Sequence, residues 1–131
     1  MIRPFPLVLV VDDVGETRRL MRRILERSRL RVVEAASGED ALRTIASARP
    51  DVVVLDLRLP GISGLDVARS IRANADEGIA ATPLLACSAS VQDEVRREAL
   101  HAGCDSFQGK PFDIGVFVAT IRELIGHEAD G

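Results

Sequence analysis

The hydrophobic pattern of the chain alternates between two kinds of segment. Short apolar runs with the length of buried strands are each followed by stretches whose apolar positions recur every three or four residues, which is typical of one helix face. Strands are predicted at residues 7–11, 31–35, 52–55, 83–87 and 106–108. The clearest helical pattern lies in residues 114–125, whereas residues 73–82 are expected to form a loop. Residues 1–126 are expected to form one domain, with a tail at residues 127–131.

Successive strand–helix units predict an α/β fold, in which a doubly wound parallel sheet carries helices on both faces. Residues 52–55 read Val-Val-Val-Leu, and such continuous apolar strands are typical of parallel sheets because both faces of the strand are buried. The strand order 2-1-3-4-5 would make the first and third strands neighbours at the point where the order reverses. Ligands of such sheets bind there, beyond the carboxyl ends of the strands. The residues that follow each strand are therefore the candidates for chemistry.

Polar side chains stand at the ends of most of the predicted strands. Asp12 and Asp13 follow the first strand, and Asp56 follows the third. Ser88 follows the fourth strand, and Lys110 lies just beyond the fifth. Two like charges about 4 Å apart repel each other by roughly 4 kcal/mol at an effective dielectric of about 20, so neighbouring carboxylates need a counter-charge. A divalent cation supplies it, and a few carboxylates with room for waters and a phosphate favour Mg²⁺.

Each of these residues also has a simpler interpretation when it is taken alone. Asp12 and Asp13 could cap the first helix, and Asp56 could stabilise a turn. Ser88 could cap the end of its strand. Their occurrence together at one edge of the sheet favours a site. Lys110 supports that interpretation because it is the only lysine among 17 basic residues, and its compact ammonium differs in chemistry from the flat guanidinium of arginine.

Composition and charge narrow the class of protein. The formal net charge is −3, so direct binding to nucleic acid is not expected. No apolar run has the length of a membrane span, and the first residues lack the layout of a signal peptide, so a cytoplasmic protein without membrane contact is expected. Cys87 and Cys104 lack the spacing of a metal site and are interpreted as reduced core residues.

The first predicted helix is rich in arginine. Its arginines are Arg18, Arg19, Arg22, Arg23 and Arg27. A charged run of this kind is usually a solvated helix face. The alternative interpretation is a docking patch for an acidic partner.

The strand-end residues and their neighbours resemble the receiver domain of two-component response regulators. Residues 10–13, Val-Val-Asp-Asp, resemble the acidic pair of that family, and residues 53–64 resemble its phosphoacceptor segment. Residues 86–89 resemble its Ser/Thr segment, and residues 110–112 resemble its Lys-Pro pair. The resemblance covers residues 7–124 and implies a flavodoxin-like fold of five βα units with the strand order 2-1-3-4-5.

The resemblance implies that Asp56 accepts a phosphoryl group from a sensor histidine kinase or a histidine phosphotransfer protein. It also implies a signalling domain that catalyses only its own phosphoryl uptake and hydrolysis, with Mg²⁺ as the cofactor. Asp13, Asp56 and the backbone carbonyl of Arg58 would bind the ion directly. Asp12 would bind it through water or a direct contact.

The resemblance further implies how phosphorylation would act on the rest of the domain. Lys110 would pair with one phosphoryl oxygen, and Ser88 would hydrogen-bond another. Phe107, which stands where tyrosine is commoner in the family, would turn inward when Ser88 moves. The peptide bond between Lys110 and Pro111 would be cis.

Other functions remain open on the sequence. A degenerate receiver would act as a phosphorylation-independent protein-interaction module, although the intact site residues argue against it. A flavodoxin-type electron carrier would need aromatic residues to stack on the flavin, and the chain has no Trp or Tyr. An aspartyl phosphatase of the haloacid dehalogenase kind would need an aspartate where Arg58 stands. Arg58 and Ser90 fall at positions where the receiver family tunes the lifetime of the phosphoryl group.

The resemblance leaves the setting of the domain open. A stand-alone regulator, a phosphorelay shuttle and the receiver of a longer protein all fit, each acting on an unidentified protein target. A monomer or a weak phosphorylation-dependent dimer is expected.

Overall fold

The computed structural model describes residues 4–130, and the side chains of residues 4–126. Its strands are β1 (Leu7–Val11), β2 (Arg31–Ala35), β3 (Val52–Asp56), β4 (Leu84–Ser88) and β5 (Ser106–Gly109). Its helices are α1 (Gly15–Arg27), α2 (Gly38–Ala48), α3 (Gly64–Arg72), α4 (Glu77–Ala80), α5 (Asp93–His101) and α6 (Ile114–Asp130). The strands form one parallel sheet in the order β2-β1-β3-β4-β5, so the predicted fold class and strand order are confirmed.

The two faces of the sheet bury alternate residues of the same strands, because successive side chains of a strand point to opposite sides. On one face, Leu9 and Val53 pack with residues of α2, α3 and α5. On the other face, Val8 and Val54 pack with residues of α1 and α6. The central strands β1, β3 and β4 are buried along their whole length, which explains the continuous apolar runs of the sequence.

Two segments differ from the expectation. Residues 73–82 contain the short helix α4, Glu77–Ala80, which is capped by the side chain of Asp76. The loop prediction was wrong there because a helix of 4 residues is too short to show a repeat of helical spacing. The helix α6 runs to Asp130, so the backbone of residues 127–130 continues the helix where a tail was predicted.

Both cysteines are buried and neither forms a disulfide bond. Burial raises the pKa of Cys87 to about 12 and that of Cys104 to about 11, so neither thiol is a nucleophile near neutral pH. Within residues 4–130, no helix combines the length and the apolar character that a membrane crossing requires.

Candidate functional site

Three aspartates meet at the carboxyl edge of the sheet. Asp12 follows the last residue of β1, and Asp56 is the last residue of β3, one residue beyond the predicted end of that strand. β1 and β3 are neighbours in the sheet, with Val11 paired to Leu55. One ligand oxygen from each of Asp12, Asp13 and Asp56 lies within 4.8 Å of the other two. Asp12 and Asp56 are buried and Asp13 is exposed, so the cluster opens to solvent on one side.

Lys110 supplies the positive charge of this cluster. Its Nζ donates to Oδ2 of Asp12 at 2.7 Å and to Oδ2 of Asp56 at 3.3 Å. Its backbone N–H donates to the carbonyl of Ser88 at 2.8 Å, which attaches the residue after β5 to the end of β4. The peptide bond between Lys110 and Pro111 is cis, as the resemblance implied.

The cluster changes the acidity of two of its members. Burial raises the pKa of Asp56 above its usual value of 3.8. The backbone N–H of Arg58 and the ammonium of Lys110 oppose that shift, whereas the negative charge of Asp12 adds to it. Burial alone would lower the pKa of Lys110, but its hydrogen bond to Asp12 and its attraction to Asp56 raise it above 10.5. Lys110 is therefore a cation at neutral pH.

Local hydrogen bonds hold the two buried carboxylates in place. Oδ1 of Asp12 accepts a hydrogen bond from the backbone N–H of Val14 at 2.8 Å. Oδ1 of Asp56 accepts one from the backbone N–H of Arg58 at 3.0 Å. Val14 is the N-cap of α1, so neither Asp12 nor Asp13 caps that helix in the way that the simpler interpretation of those two residues proposed. Asp56 does stabilise a turn, through the hydrogen bond from Arg58, and it is at the same time a member of the carboxylate cluster.

The donors of the cluster fit Mg²⁺. Each of the three side chains offers a hard carboxylate oxygen, the kind of ligand that Mg²⁺ prefers. The three carboxyl groups outnumber the single ammonium of Lys110, and a divalent cation supplies the missing positive charge. The exposed position of Asp13 leaves one side of the cluster open for water and for a phosphoryl group.

Ser88 and Phe107 lie on the neighbouring strands β4 and β5. Ser88 is the buried last residue of β4, and its Oγ accepts a hydrogen bond from the backbone N–H of Ser90 at 3.1 Å. Phe107 is half-buried and packs against the core on the face of α2, α3 and α5. The guanidinium carbon of Arg96, from α5, lies 5.0 Å from the centre of the Phe107 ring, within the range of a cation–π contact. Phe107 thus contacts both the core and a cation on α5.

Comparison with known sequences decides the family. A sequence model of the response regulator receiver domain matches residues 8–122, a range that includes the acidic pair, Asp56, Ser88 and Lys110. The chain belongs to the response regulator receiver domain family. The resemblance that the strand-end residues indicated is therefore confirmed.

Curated relatives of this receiver domain include transcriptional regulators. The transcriptional regulatory protein KdpE of Mycobacterium tuberculosis is 38% identical over 119 residues, and ResD of Bacillus subtilis is 35% identical over 118 residues. The alignments cover 91% and 90% of this chain but 50% and 47% of those proteins. The chain thus spans about half the length of the curated relatives it matches.

Solved structures share the fold of the receiver domain. The receiver domain of the Francisella response regulator 1452 superposes with a TM-score of 0.86 at 27% identity, covering 94% of this chain and 98% of that chain. The chemotaxis response regulator CheY4 of Vibrio cholerae superposes with a TM-score of 0.84 at 26% identity, covering 92% of this chain and 98% of that chain. These similarities agree with the flavodoxin-like architecture that was predicted.

The structure of the receiver domain brings most of the predicted site residues together. The central cluster consists of Asp12, Asp13, Asp56 and Lys110. Arg58 contacts the cluster through its backbone N–H, while its side chain is exposed. Ser88 is attached to Lys110 through its backbone carbonyl. Phe107 lies on the adjacent strand, where Ala86 is its partner in the register.

The arginines of α1 separate into two groups, although the sequence pattern indicates a single charged face. Glu34 of β2 accepts hydrogen bonds from Nε of Arg18 at 2.8 Å and from Nη1 of Arg22 at 2.5 Å. The exposed arginines are Arg19, Arg23 and Arg27. Arg18 also reaches the site, since its Nη1 donates to the backbone carbonyl of Asp12 at 2.8 Å. Arg19, Arg23 and Arg27 are spaced by one helical turn just as Arg18 and Arg22 are, so the sequence carries no local signal that separates the two groups.

Proposed function

We propose that this receiver domain accepts a phosphoryl group on Asp56 and changes its binding to a partner protein when phosphorylated. The donor is a sensor histidine kinase or a histidine phosphotransfer protein, and the reaction requires Mg²⁺. The observation that carries the proposal is the position of Lys110, whose ammonium contacts the buried carboxylates of both Asp12 and Asp56. A structural ion pair needs only one carboxylate, whereas this lysine contacts two. The carboxylate of Asp13 lies beside those two.

Asp56 is the nucleophile of the proposed reaction. One carboxylate oxygen forms the new bond to phosphorus, the bond from phosphorus to the histidine nitrogen of the donor breaks, and its electron pair stays on the imidazole. The N–H of Arg58 donates to Oδ1 of Asp56 and the ammonium of Lys110 donates to Oδ2, so the carboxylate is held in one orientation before the donor arrives. Such positioning lowers the entropic cost of the transfer.

Mg²⁺ would be held by the carboxylates of Asp12, Asp13 and Asp56 and by the backbone carbonyl of Arg58. Bound there, the ion would neutralise negative charge on the phosphoryl oxygens during the transfer. The contact of Lys110 with Asp56 is longer than its contact with Asp12, 3.3 Å against 2.7 Å. We therefore assign Lys110 to a phosphoryl oxygen on Asp56, which would replace the longer of its two contacts.

Ser88 and Phe107 are proposed to transmit phosphorylation to the surface. The hydroxyl of Ser88 accepts a hydrogen bond from Ser90, and its own hydrogen remains able to donate to a phosphoryl oxygen. Phe107 would then turn inward, and its contact with Arg96 would be lost. A change of this kind alters the surface of α5 and β5, and a downstream protein would bind to that surface.

Intact-protein mass spectrometry after incubation with acetyl phosphate tests the proposal. We expect one phosphoryl adduct on the wild-type protein, formed with Mg²⁺ and absent in EDTA. Asp56→Asn should give no adduct, whereas Asp66→Asn, which changes an exposed aspartate of α3, should be labelled like the wild type. A folded Asp56→Asn protein that is labelled as fully as the wild type would overturn the assignment of the acceptor.

A second measurement covers the case in which acetyl phosphate labels nothing. Beryllofluoride is an analogue of the phosphoryl group, and its binding with Mg²⁺ can be followed by calorimetry without any donor protein. Binding to the wild type but not to Asp56→Asn would support the proposal. Absence of binding to both would favour the phosphorylation-independent interaction module.

A further inference from the structure

We propose that Arg18 is a positioning residue for the Mg²⁺ site, because it fixes the peptide that connects Asp12 to Asp13. The inference rests on the proposed function and adds a residue whose sequence context indicates only a charge on a helix face. In this proposal Arg18 binds neither the ion nor the phosphoryl group. It acts through the backbone carbonyl of Asp12.

Arg18 connects α1 to two other parts of the fold. Its Nη1 donates to the carbonyl of Asp12 at 2.8 Å, and its Nε donates to Oε1 of Glu34 in β2 at 2.8 Å. Only 19% of the Arg18 side chain is exposed. A guanidinium suits this double contact, since its N–H groups are held in one plane. Arg18 therefore has a fixed position, unlike a solvated surface arginine.

The polar atoms of Asp12 are each held by a partner. Oδ1 accepts from the N–H of Val14 at 2.8 Å, and Oδ2 accepts from Lys110 at 2.7 Å. The carbonyl oxygen accepts from Arg18. Because the peptide unit is planar, fixing this carbonyl also fixes the N–H of Asp13 and the direction of the chain at that residue.

Asp13 depends on the backbone more than the other two carboxylates do. Asp12 and Asp56 are buried, so packing restricts them, whereas Asp13 is exposed. The direction of the Asp13 side chain therefore follows chiefly from the peptide that Arg18 holds. Loss of the Arg18 contact should let the exposed ligand of the cluster move away from the other two.

Because Arg18 is a cation, its charge and its positioning role predict opposite changes in Mg²⁺ affinity when the residue is removed. A cation beside a Mg²⁺ site repels the ion, so charge alone predicts tighter Mg²⁺ binding when Arg18 is removed. Glu34 pairs with both Arg18 and Arg22, and Glu26 pairs with Arg22 in turn, so two carboxylates offset the two guanidinium charges. The hydrogen bond from Arg22 also lowers the pKa of Glu34. With the charge offset, the loss of position should dominate, and Mg²⁺ binding should become weaker.

Calorimetric titration with Mg²⁺ alone, on the full chain, tests the inference without phosphorylation. Arg18→Met should weaken Mg²⁺ binding by about tenfold, the lower end of the effect of outer-shell substitutions at metal sites. Arg18→Lys keeps the charge but cannot reproduce the two-point contact, so it should also weaken binding. Arg19→Met removes an exposed charge from the same turn and should stay within about twofold of the wild type.

The outcomes separate this inference from the proposed function. Tighter binding in Arg18→Met, or unchanged binding in Arg18→Lys, would mean that Arg18 acts only through its charge and would overturn the inference. Circular dichroism in EDTA verifies that each variant is folded, and Arg18→Lys decides the question if Arg18→Met does not fold. A wild-type protein that binds no Mg²⁺ would instead contradict the proposed function.

Discussion

At the residue scale, the proposed acceptor is held in a site that disfavours its charge. Asp56 is 7% exposed, and burial raises its pKa above 3.8. The folded state therefore keeps the proton of Asp56 to higher pH than the unfolded chain does. The stability that Asp56 contributes is fully present below the pKa that this residue has in the unfolded chain. It is lost as the pH rises through the higher pKa that Asp56 has in the folded state. Ionised Asp56 thus lowers the free energy of unfolding at neutral pH.

Asp56→Asn should consequently raise the free energy of unfolding at neutral pH, because asparagine needs no ionisation in the buried site. The gain should be small below the usual pKa of 3.8, grow as the pH passes through the raised pKa, and then stay constant. Urea unfolding followed by circular dichroism, in EDTA from acid to neutral pH, measures it. Asp66→Asn, at an exposed position, should show no comparable rise. An Asp56→Asn protein less stable than the wild type at neutral pH would mean that attraction to Lys110 outweighs burial.

The central site residues could be predicted from the sequence because strand ends of a parallel sheet lie at one edge. Asp12 and Asp56 stand at the ends of apolar strands and Lys110 directly follows β5, and that placement is enough to bring them together. The contacts of Arg18 with Glu34 and with the carbonyl of Asp12 could not be predicted in the same way. It depends on the rotation of α1 about its axis relative to Glu34 on β2, which is a property of tertiary packing.

At the scale of the elements, α3 begins in close contact with the strand that carries the acceptor. The N–H of Gly64 donates to the carbonyl of Leu57 at 3.1 Å. A Cβ atom at position 64 would lie 2.2 Å from the carbonyl oxygen of Asp56, so only glycine allows this approach. The first residue of α3 therefore restricts the backbone of the acceptor.

Gly64→Ala should destabilise the domain by roughly 1–3 kcal/mol, the usual cost of overpacking, because backbone atoms cannot yield as a flexible side chain can. It should also slow labelling of Asp56 by acetyl phosphate. Gly126→Ala is the matched control, since a Cβ there has no atom within 4 Å. In α6 that change should raise stability by about 0.5–1 kcal/mol. Equal effects of the two substitutions on urea unfolding would contradict the close approach.

The sequence predicts the elements of this domain unevenly, and the reason is physical. The central strands β1, β3 and β4 are predicted to within one residue because strands buried on both faces leave continuous apolar runs. The helix α4 depends instead on its Asp76 cap and on the ion pair of Asp76 with Arg49, which is 27 residues away in the chain. The cap is local but marks only a helix start, and the ion pair with Arg49 leaves no local pattern.

At the scale of the whole molecule, folding creates the charge cluster that the proposed reaction needs. Lys110 is 98 residues from Asp12 and 54 residues from Asp56 along the chain, yet it contacts both. The unfolded chain keeps these groups apart, so the repulsion between the carboxylates exists chiefly in the folded state. A cation that binds the cluster should therefore stabilise the fold as a whole.

Mg²⁺ should raise the melting temperature of the receiver domain, because only the folded chain brings the carboxylates of Asp12, Asp13 and Asp56 together. A ligand at about one hundred times its dissociation constant adds about 2.7 kcal/mol to the free energy of unfolding. For a domain of this size, that corresponds to a rise in Tm on the order of 10 °C. Thermal unfolding in Mg²⁺ is compared with EDTA in KCl of matched ionic strength, so that screening is equal in both. Asp13→Ala should lose most of the response, and an undiminished rise in that variant would place the stabilising ion outside the cluster.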